Sequence, residues 1–520
     1  MRYLFAFLLV FAAPCWADSP VAPLASQNFD DIRRGVEALA VSGSDRAAPV
    51  LDALQAGRLL LGPGGALFIK DPAGNLTNAE TGEAVSAAGS LRPVRVNNAV
   101  RRAVNAAMGG LRLFAPDPAT RAEAAEAVFK SRDAAALPAL DRAIAQEPDS
   151  SVRRVMQQAR AAAVLETADA PEAEKLAAIA TLRARGDLDA RGLLASLSGQ
   201  PPAVMAAAGA AVVAIDTLLQ LWNLLQGAFY GLSLGSVLLL AAAGLAITFG
   251  VMGVINMAHG EMVMIGAYTT FVVQEAIRTR WPGLFGASLF IAIPLAFLVS
   301  GAIGVLIERC LIRFLYGRPL ETLLATFGLS LVLQQAVRTM FGPTNREVGT
   351  PAWMSGAGKL GQVTLTYNRV AIILFAVAVV AALMAVLRYT SLGLRMRAVT
   401  QNRRMAAAMG IRTPWIDALT FGLGSGVAGM AGVALSQIDN VSPNLGQGYI
   451  IDSFMVVVFG GVGNLWGTVV GALTLGVVNK FLEPVAGAVL GKILVLVLLI
   501  LFIQRRPRGM FPLKGRAVEA

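Results

Sequence analysis

A single histidine, His259, lies in the run Asn256-Met257-Ala258-His259-Gly260-Glu261. One imidazole cannot build a metal cluster, which needs several converging ligands. Its bland use is a loop hydrogen bond to a backbone carbonyl, and its functional use is a gate or helix-end contact beside a solute pathway. Glu261 can cap the helix that follows, since a carboxylate is favourable near a helix N-terminus. Ser236, Gln334 and Gln335 fall inside apolar stretches. There, hydroxyl and amide groups serve a neighbouring helix or hydrogen-bond a neutral solute. No G-x-x-x-x-G-K-[ST] sequence exists: Gly356-Ala357-Gly358-Lys359 is followed by Leu360, and Trp353 stands at the first glycine position of that pattern. The chain carries no recognisable nucleotide-hydrolysis site and no catalytic or metal constellation, and no cofactor is expected.

Two further stretches have chemistry in their backbone or charge. Gly460-Gly461-Val462-Gly463-Asn464 divides one apolar stretch in two, as broken helices at membrane transport sites do. The segment 391–414, SLGLRMRAVTQNRRMAAAMGIRTP, is strongly basic through Arg395, Arg397, Arg403 and Arg404. It is longer than an orientation-setting loop requires. Its Ala407 and Gly410 suit a short helix with a glycine end that docks on a partner. Acids within the apolar half are few, with Asp452 and Glu308 expected at interfaces, which argues against a proton-coupled carrier.

The elements that hold these residues follow from composition. Of 520 residues, 56% are hydrophobic and 15% charged, against roughly 25% charged in soluble proteins. Disorder, collagen and a disulfide scaffold are excluded. The net charge of +11 divides unevenly. Residues 1–219 hold 22 Lys/Arg and 23 Asp/Glu, a net of −1, and residues 220–520 hold 22 and 10, a net of +12. The positive excess lies wholly in the apolar half, which points to a membrane protein with lipid contacts and away from nucleic acid.

Nine apolar segments are predicted to cross: 226–250, 261–276, 285–308, 320–341, 370–387, 416–436, 449–460, 465–482 and 486–504. With an exported N-terminus, 14 basic residues fall on the inner side and 7 on the outer, with Lys492 inside the last segment. That bias obeys the positive-inside rule.

Residues 1–17 read as an export signal: Arg2, an apolar run too short to span, and Ala17 at the cleavage position. Residues 18–205 read as a periplasmic helical-repeat domain of HEAT-like helix pairs, from the similar spacing of 37–54, 126–144 and 177–197. A small β insert is expected at 62–95. Residues 206–222 read as a linker or interfacial helix, with the apolar run Ala203–Ile215 ambiguous. Residues 223–505 form the membrane domain and 506–520 a cytoplasmic tail. Cys310 is the sole thiol after the signal. The fold class is all-α, a polytopic membrane bundle of about nine segments, some broken, behind a soluble helical domain.

Residues 231–268, with Leu-Gly-Ser at 234–236 and Val254–Glu261, resemble the inner-membrane permeases of branched-chain amino acid ABC importers. So do 394–411, which is similar to that family's cytoplasmic coupling loop, Phe459–Asn464, and the basic Arg505-Arg506-Pro507. The resemblance covers about 222–512. The N-terminal domain resembles that of the extended urea-type permeases, which implies urea or a short-chain amide as substrate, with branched-chain amino acids as the alternative and a passive channel or ion-coupled carrier as a third reading. The resemblance further implies a second homologous permease subunit, two cytoplasmic ATPase subunits and a periplasmic solute-binding protein. It places Arg395, Arg397, Arg403, Arg404, Ala407 and Gly410 at the coupling surface. Ser236, Asn256, His259, Glu261, Gln334, Gln335, Gly460, Gly461, Gly463 and Asn464 are the candidate pathway residues.

Overall fold

The computed structural model describes residues 21–511 apart from 43, 45, 72–73 and 86–89. The expected signal, 1–17, and the end of the expected tail, 512–520, lie outside the described residues. The chain divides into two compact units, 1–219 and 220–520, where the charge balance changes.

In the first unit, α1 (Phe29–Val41) and α2 (Ala47–Gln55) precede β1 (Leu59–Leu61), β2 (Leu67–Lys70), β3 (Leu76–Asn78) and β4 (Arg92–Pro93). The strands pair antiparallel in the order β3-β2-β1-β4. The expected insert is therefore a four-stranded sheet that starts before residue 62. Its outer strands are too short to show an alternating pattern, and Pro93 is tolerated because β4 is an edge. Then follow α3 (Asn98–Arg112), α4 (Pro118–Ser131), α5 (Leu137–Gln146), α6 (Ser150–Glu166), α7 (Glu172–Arg185) and α8 (Leu188–Ser196). Asn97, Asp117, Asp149 and Asp187 each accept a first-turn N–H, meeting donors a helix start leaves open.

One apolar core lies among α1 to α3 and β1, and another among α4 to α8. The second core includes Val204, Ala208, Ala211 and Ile215, at spacings that form one face of a helix. They belong to α9 (Pro202–Met252). The ambiguous run Ala203–Ile215 is thus core of the first unit, and residues 206–222 are helix within α9 instead of a separate linker.

The second unit holds the remainder of α9, then α10 (His259–Arg280), α11 (Ser288–Cys310), α12 (Pro319–Phe341), a hairpin of β5 (Ala357–Leu360) and β6 (Val363–Thr366), and α13 (Tyr367–Tyr389). After these come α14 (Ser391–Gln401), α15 (Arg403–Ala408), α16 (Thr413–Leu435), α17 (Leu445–Gly460) and α18 (Leu465–Arg505). The Gly-Ala-Gly-Lys run at 356–359 is part of the hairpin, far from any phosphate-cradling geometry between strand and helix.

All nine apolar segments are helical. By length and composition, six helices among the described residues can cross a membrane: α9, Pro282–Cys310, α12, α13, α16 and α18. α17 has 16 residues, a rise of about 24 Å against roughly 30 Å of hydrocarbon. α10 is long enough but carries Glu261, Glu275, Arg278 and Arg280. The segments 465–482 and 486–504 both lie in α18, broken at Gly487 by φ 76°, ψ 164°.

Residues 233–250 of α9 and most of α16 are enclosed, whereas α11, α12, α13 and α18 turn Leu298, Leu324, Leu374 and Leu498 outward. At the centre, Gly244 of α9 meets Gly424 of α16. A Cβ on either would overlap the other's carbonyl oxygen. Lipid offers no hydrophobic drive between helices, so such close packing is what associates them.

Candidate functional site

After Met252 the chain turns at Gly253, φ 69°, and re-enters the bundle. His259 Nε2 lies 2.9 Å from the carbonyl oxygen of Ala241. Ala241 precedes the end of α9 by eleven residues, about 16 Å of helix. α10 therefore starts inside the bundle. α17 starts there too: its Gly446 packs on Gly260, and a Cβ on either would overlap the other's backbone. Two helix N-termini, each carrying partial positive charge, meet in the interior.

Glu261, the third residue of α10, brings a carboxylate to this junction and is 1% exposed. Its Oε1 accepts from Gln334 Nε2 and from Ser330 Oγ, each at 2.8 Å. Its Oε2 is buried with no partner. Beside it, Asn256 Oδ1 accepts from Ala258 N at 3.0 Å, while Asn256 Nδ2 has no partner. Met257 N donates to Thr326 Oγ1 at 3.1 Å. The Ala241 carbonyl only accepts, so His259 carries its proton on Nε2, and buried Nδ1 is left without a donor. Thr322, Thr326, Ser330 and Gln334 recur every fourth residue on α12 and are all buried. They make one polar stripe on an otherwise apolar helix.

The candidate pathway residues do not all converge here. Asn256, His259, Glu261 and Gln334 do. Gln335, one position round the helix, is exposed. Ser236 is buried but donates to Leu232 O at 2.8 Å within its own helix. The glycine break lies about 21 Å along α17 from the junction, at 1.5 Å per residue. Gly461 and Gly463 take φ 105° and 79°, and Asn464 caps α18 by accepting from Trp466 N and Gly467 N. The backbone of the break is engaged by the chain itself: Met510 N donates to Phe459 O at 2.9 Å, Phe511 N to Gly460 O at 3.1 Å, and Asn464 Nδ2 to Phe511 O at 3.2 Å. It is a clasped turn.

The basic segment folds as α14 and α15. Gly410 ends α15 at φ 85°, with Ile411 N donating to Ala406 O and Gly410 N to Ala407 O, the paired bonds of a left-handed glycine cap. Arg395, Arg397, Arg404, Ala407 and Gly410 are exposed. So are Leu394, Met405 and Met409, the last at 77%, giving a surface both basic and apolar. Arg403 differs. It grips both carboxylate oxygens of buried Asp417 at the start of α16, donates to Tyr316 Oη at 2.5 Å, and stacks over the Tyr316 ring at 4.0 Å. Burial opposes its charge, but Asp417 and Tyr316 outweigh this and raise its pKa. Burial, helped by the Asp417 charge, pushes the Tyr316 hydroxyl up to about 12.

Sequence reasoning missed Asp417, Tyr316 and Ser330, whose partners lie 14 to 87 residues away. It also put Asp452 at an interface. Asp452 is the eighth residue of α17, buried, and paired at 2.8 Å with Lys492, the one basic residue the charge count left inside a segment. An acid and a base each stranded in an apolar stretch was the available signal.

An enclosed helical core with outward apolar faces and a polar junction inside is the arrangement of a polytopic membrane protein. Residues 227–503 match the family described as branched-chain amino acid transport system / permease component, and the chain belongs to that family. The high-affinity branched-chain amino acid transport system permease protein LivH of Salmonella typhimurium is 32% identical over 297 residues, which is 55% of this chain and 94% of LivH. BraD of Pseudomonas aeruginosa, described in the same words, is 31% identical over 297 residues, 56% of this chain and 96% of its own. The ribose import permease protein RbsC of Bacillus subtilis is 29% identical over 108 residues, covering 19% of this chain and 34% of RbsC. All three relatives are named as permease proteins. The family match lies within the second unit. No solved structure matches the chain.

Proposed function

We propose that this chain is the membrane subunit of an ATP-driven importer for small amino acids with branched apolar side chains, working by alternating access. The observation that carries this is the family match over 227–503, together with relatives named for that transport. The chain acts with a second homologous permease, two cytoplasmic ATPase subunits and a periplasmic solute-binding protein. The surface of α14 and α15 receives the ATPase, with Leu394, Met405 and Met409 as its apolar centre and the exposed arginines as its rim. In this orientation the first unit, a helix-pair repeat, faces the periplasm, the chain makes nine traverses, and the C-terminus is cytoplasmic. α10 and α17 complete their traverses with the non-helical stretches 253–258 and 436–444.

Urea or a short-chain amide is the second reading. It is favoured by the first unit, which lies outside the family match and whose presence is the feature shared with extended urea-type permeases. Uptake competition in cells decides between them: excess leucine abolishes uptake in the first case, excess urea in the second. Transport in vesicles lacking ATP would overturn both. Met409→Asp tests the docking surface, since its side chain is exposed and the fold should be untouched. Uptake should fall about tenfold or more, as for a buried interface anchor, with membrane abundance unchanged. The same change leaving uptake intact would remove the docking assignment.

A further inference from the structure

The junction of α10 and α17 contains a group that the fold does not use. Glu261 Oε1 is fully engaged by Ser330 and Gln334, so the carboxylate is held in one orientation. Its Oε2 is buried with no donor. A buried carboxylate oxygen without a partner forfeits the strong hydrogen bonds it would have in water, at a cost of about 1–3 kcal/mol or more. Capping α10 explains a carboxylate at this position but not why two side chains from α12 fix one oxygen and leave the other bare. The position also differs from every other acid in the second unit with a buried side chain. Asp417 and Asp452 have basic partners, and Glu308, whose Oε2 also lacks a hydrogen bond, has the Arg309 guanidinium 3.8 Å from that oxygen, while among the described residues Glu261 has no ion pair.

We infer that Glu261 Oε2 is the point at which the permeating solute is held inside the membrane, by accepting a hydrogen bond from the solute's N–H donor. This rests on the permease reading above. The matching chemistry is an ammonium or amide N–H group, shared by the α-ammonium of an amino acid and the NH2 of urea. The surroundings fit a transient site. Gly260 and Gly446 meet backbone to backbone with the Ile450 side chain beside them, so the carboxylate lies where two helix starts adjoin. The α12 stripe continues in both directions from Ser330 and Gln334, to Thr326 and Thr322 on one side and to Arg338, which donates to Asn444 at the start of α17, on the other. A polar solute leaving Glu261 meets hydroxyl groups at one-turn intervals.

The test uses the complete importer in proteoliposomes with ATP, following labelled leucine and labelled urea. The wild-type protein is challenged with leucinamide, which keeps the ammonium and lacks the carboxylate, and with 4-methylpentanoate, which lacks the ammonium. Leucinamide should compete and 4-methylpentanoate should not. Glu261→Gln should raise the half-saturation concentration about tenfold or more, the weight of a hydrogen bond to a charged group, and should abolish the leucinamide competition. The conservative Glu261→Asp should restore part of it. Labelled urea in place of leucine as the transported species identifies the amide as the N–H source without changing the assignment.

A measurement on the unmodified protein covers failure of the variants to fold. An apolar carbodiimide labels Glu261, and leucine or urea, but not 4-methylpentanoate, should slow that labelling about tenfold. Wild-type kinetics in Glu261→Gln, or labelling indifferent to solute, overturns the site. Absence of ATP-driven uptake in the wild-type importer would instead overturn the permease reading.

Discussion

The two units of this chain are both built from helices around buried apolar side chains, yet they differ in what the outer surface carries and in what else the interior holds. In residues 21–219 the apolar side chains are inside, and the charges form a pair network outside and between helices. Examples are Arg121 with Glu147 at 2.7 Å and Arg185 with Glu126 and Asp187 at 2.8 and 2.6 Å. In residues 220–511 an apolar core of residues such as Leu240, Met262 and Phe421 also lies inside, but it shares the interior with glycine crossings and polar groups such as Glu261, Ser330 and Thr326, and many large apolar side chains, Leu324 and Leu374 among them, face outward as well. The difference teaches that helix content says little about solvent. What distinguishes the units is which side chains the helices turn toward one another.

Changes that attack each unit's own form of cohesion should therefore have unequal effects. The largest is expected from Gly424→Val. Its branched side chain would meet the Gly244 carbonyl and the Thr248 methyl, costing about 3 kcal/mol or more by overpacking. The purified protein should melt earlier in detergent, while protection from hydrogen exchange in α4 to α8 stays at the wild-type level. Loss of protection in both units would break the comparison.

Asp417→Ala should come next. It leaves the Arg403 guanidinium, about a third exposed, without its carboxylate. The expected cost is about 2 kcal/mol, less than for a fully buried pair, with coupled uptake falling as α15 loses its anchor to α16. A thermal melt and an uptake assay on the same preparation check both.

A smaller effect, visible only in acid, is expected in the first unit. The Arg121 hydrogen bonds hold the Glu147 carboxyl below its ordinary value, against the opposing effect of burial. A lowered folded-state value stabilises above the unfolded one, roughly pH 4.3, and that stability is lost as pH falls through the folded value. Hydrogen exchange in α4 and α6 should accelerate below about pH 4, and Glu147→Gln should flatten that pH dependence. The smallest effect is expected from Arg33→Ala, which removes an exposed pair with Glu37. It should shift stability by about 0.5 kcal/mol or less.

Much of the second unit was legible in the residues. Apolar runs located its helices because a helix facing lipid must be apolar along most of its length. The glycine break at 460–464 was legible as a turn, since Gly461 and Gly463 adopt positive φ. Its use was not. The partner that engages its backbone is residues 510–511, which carry no pattern pointing back to it. The basic segment announced a short helix with a glycine end. Nothing local separated Arg403, turned inward to Asp417, from exposed Arg404 beside it.

The amino-acid sequence by itself determined the division near residue 220, the helical character of both units and the glycine cap at 410. Each of these depends on composition or on contacts within a few residues, which local physics settles. The tertiary structure alone decided that α10 and α17 begin inside the bundle and meet at Gly260 and Gly446. It also decided that Glu261 faces Ser330 and Gln334, some 70 residues on, and that Asp452 pairs with Lys492. Those outcomes depend on which helices cross and at what depth, and a linear pattern of apolar and polar residues contains neither quantity.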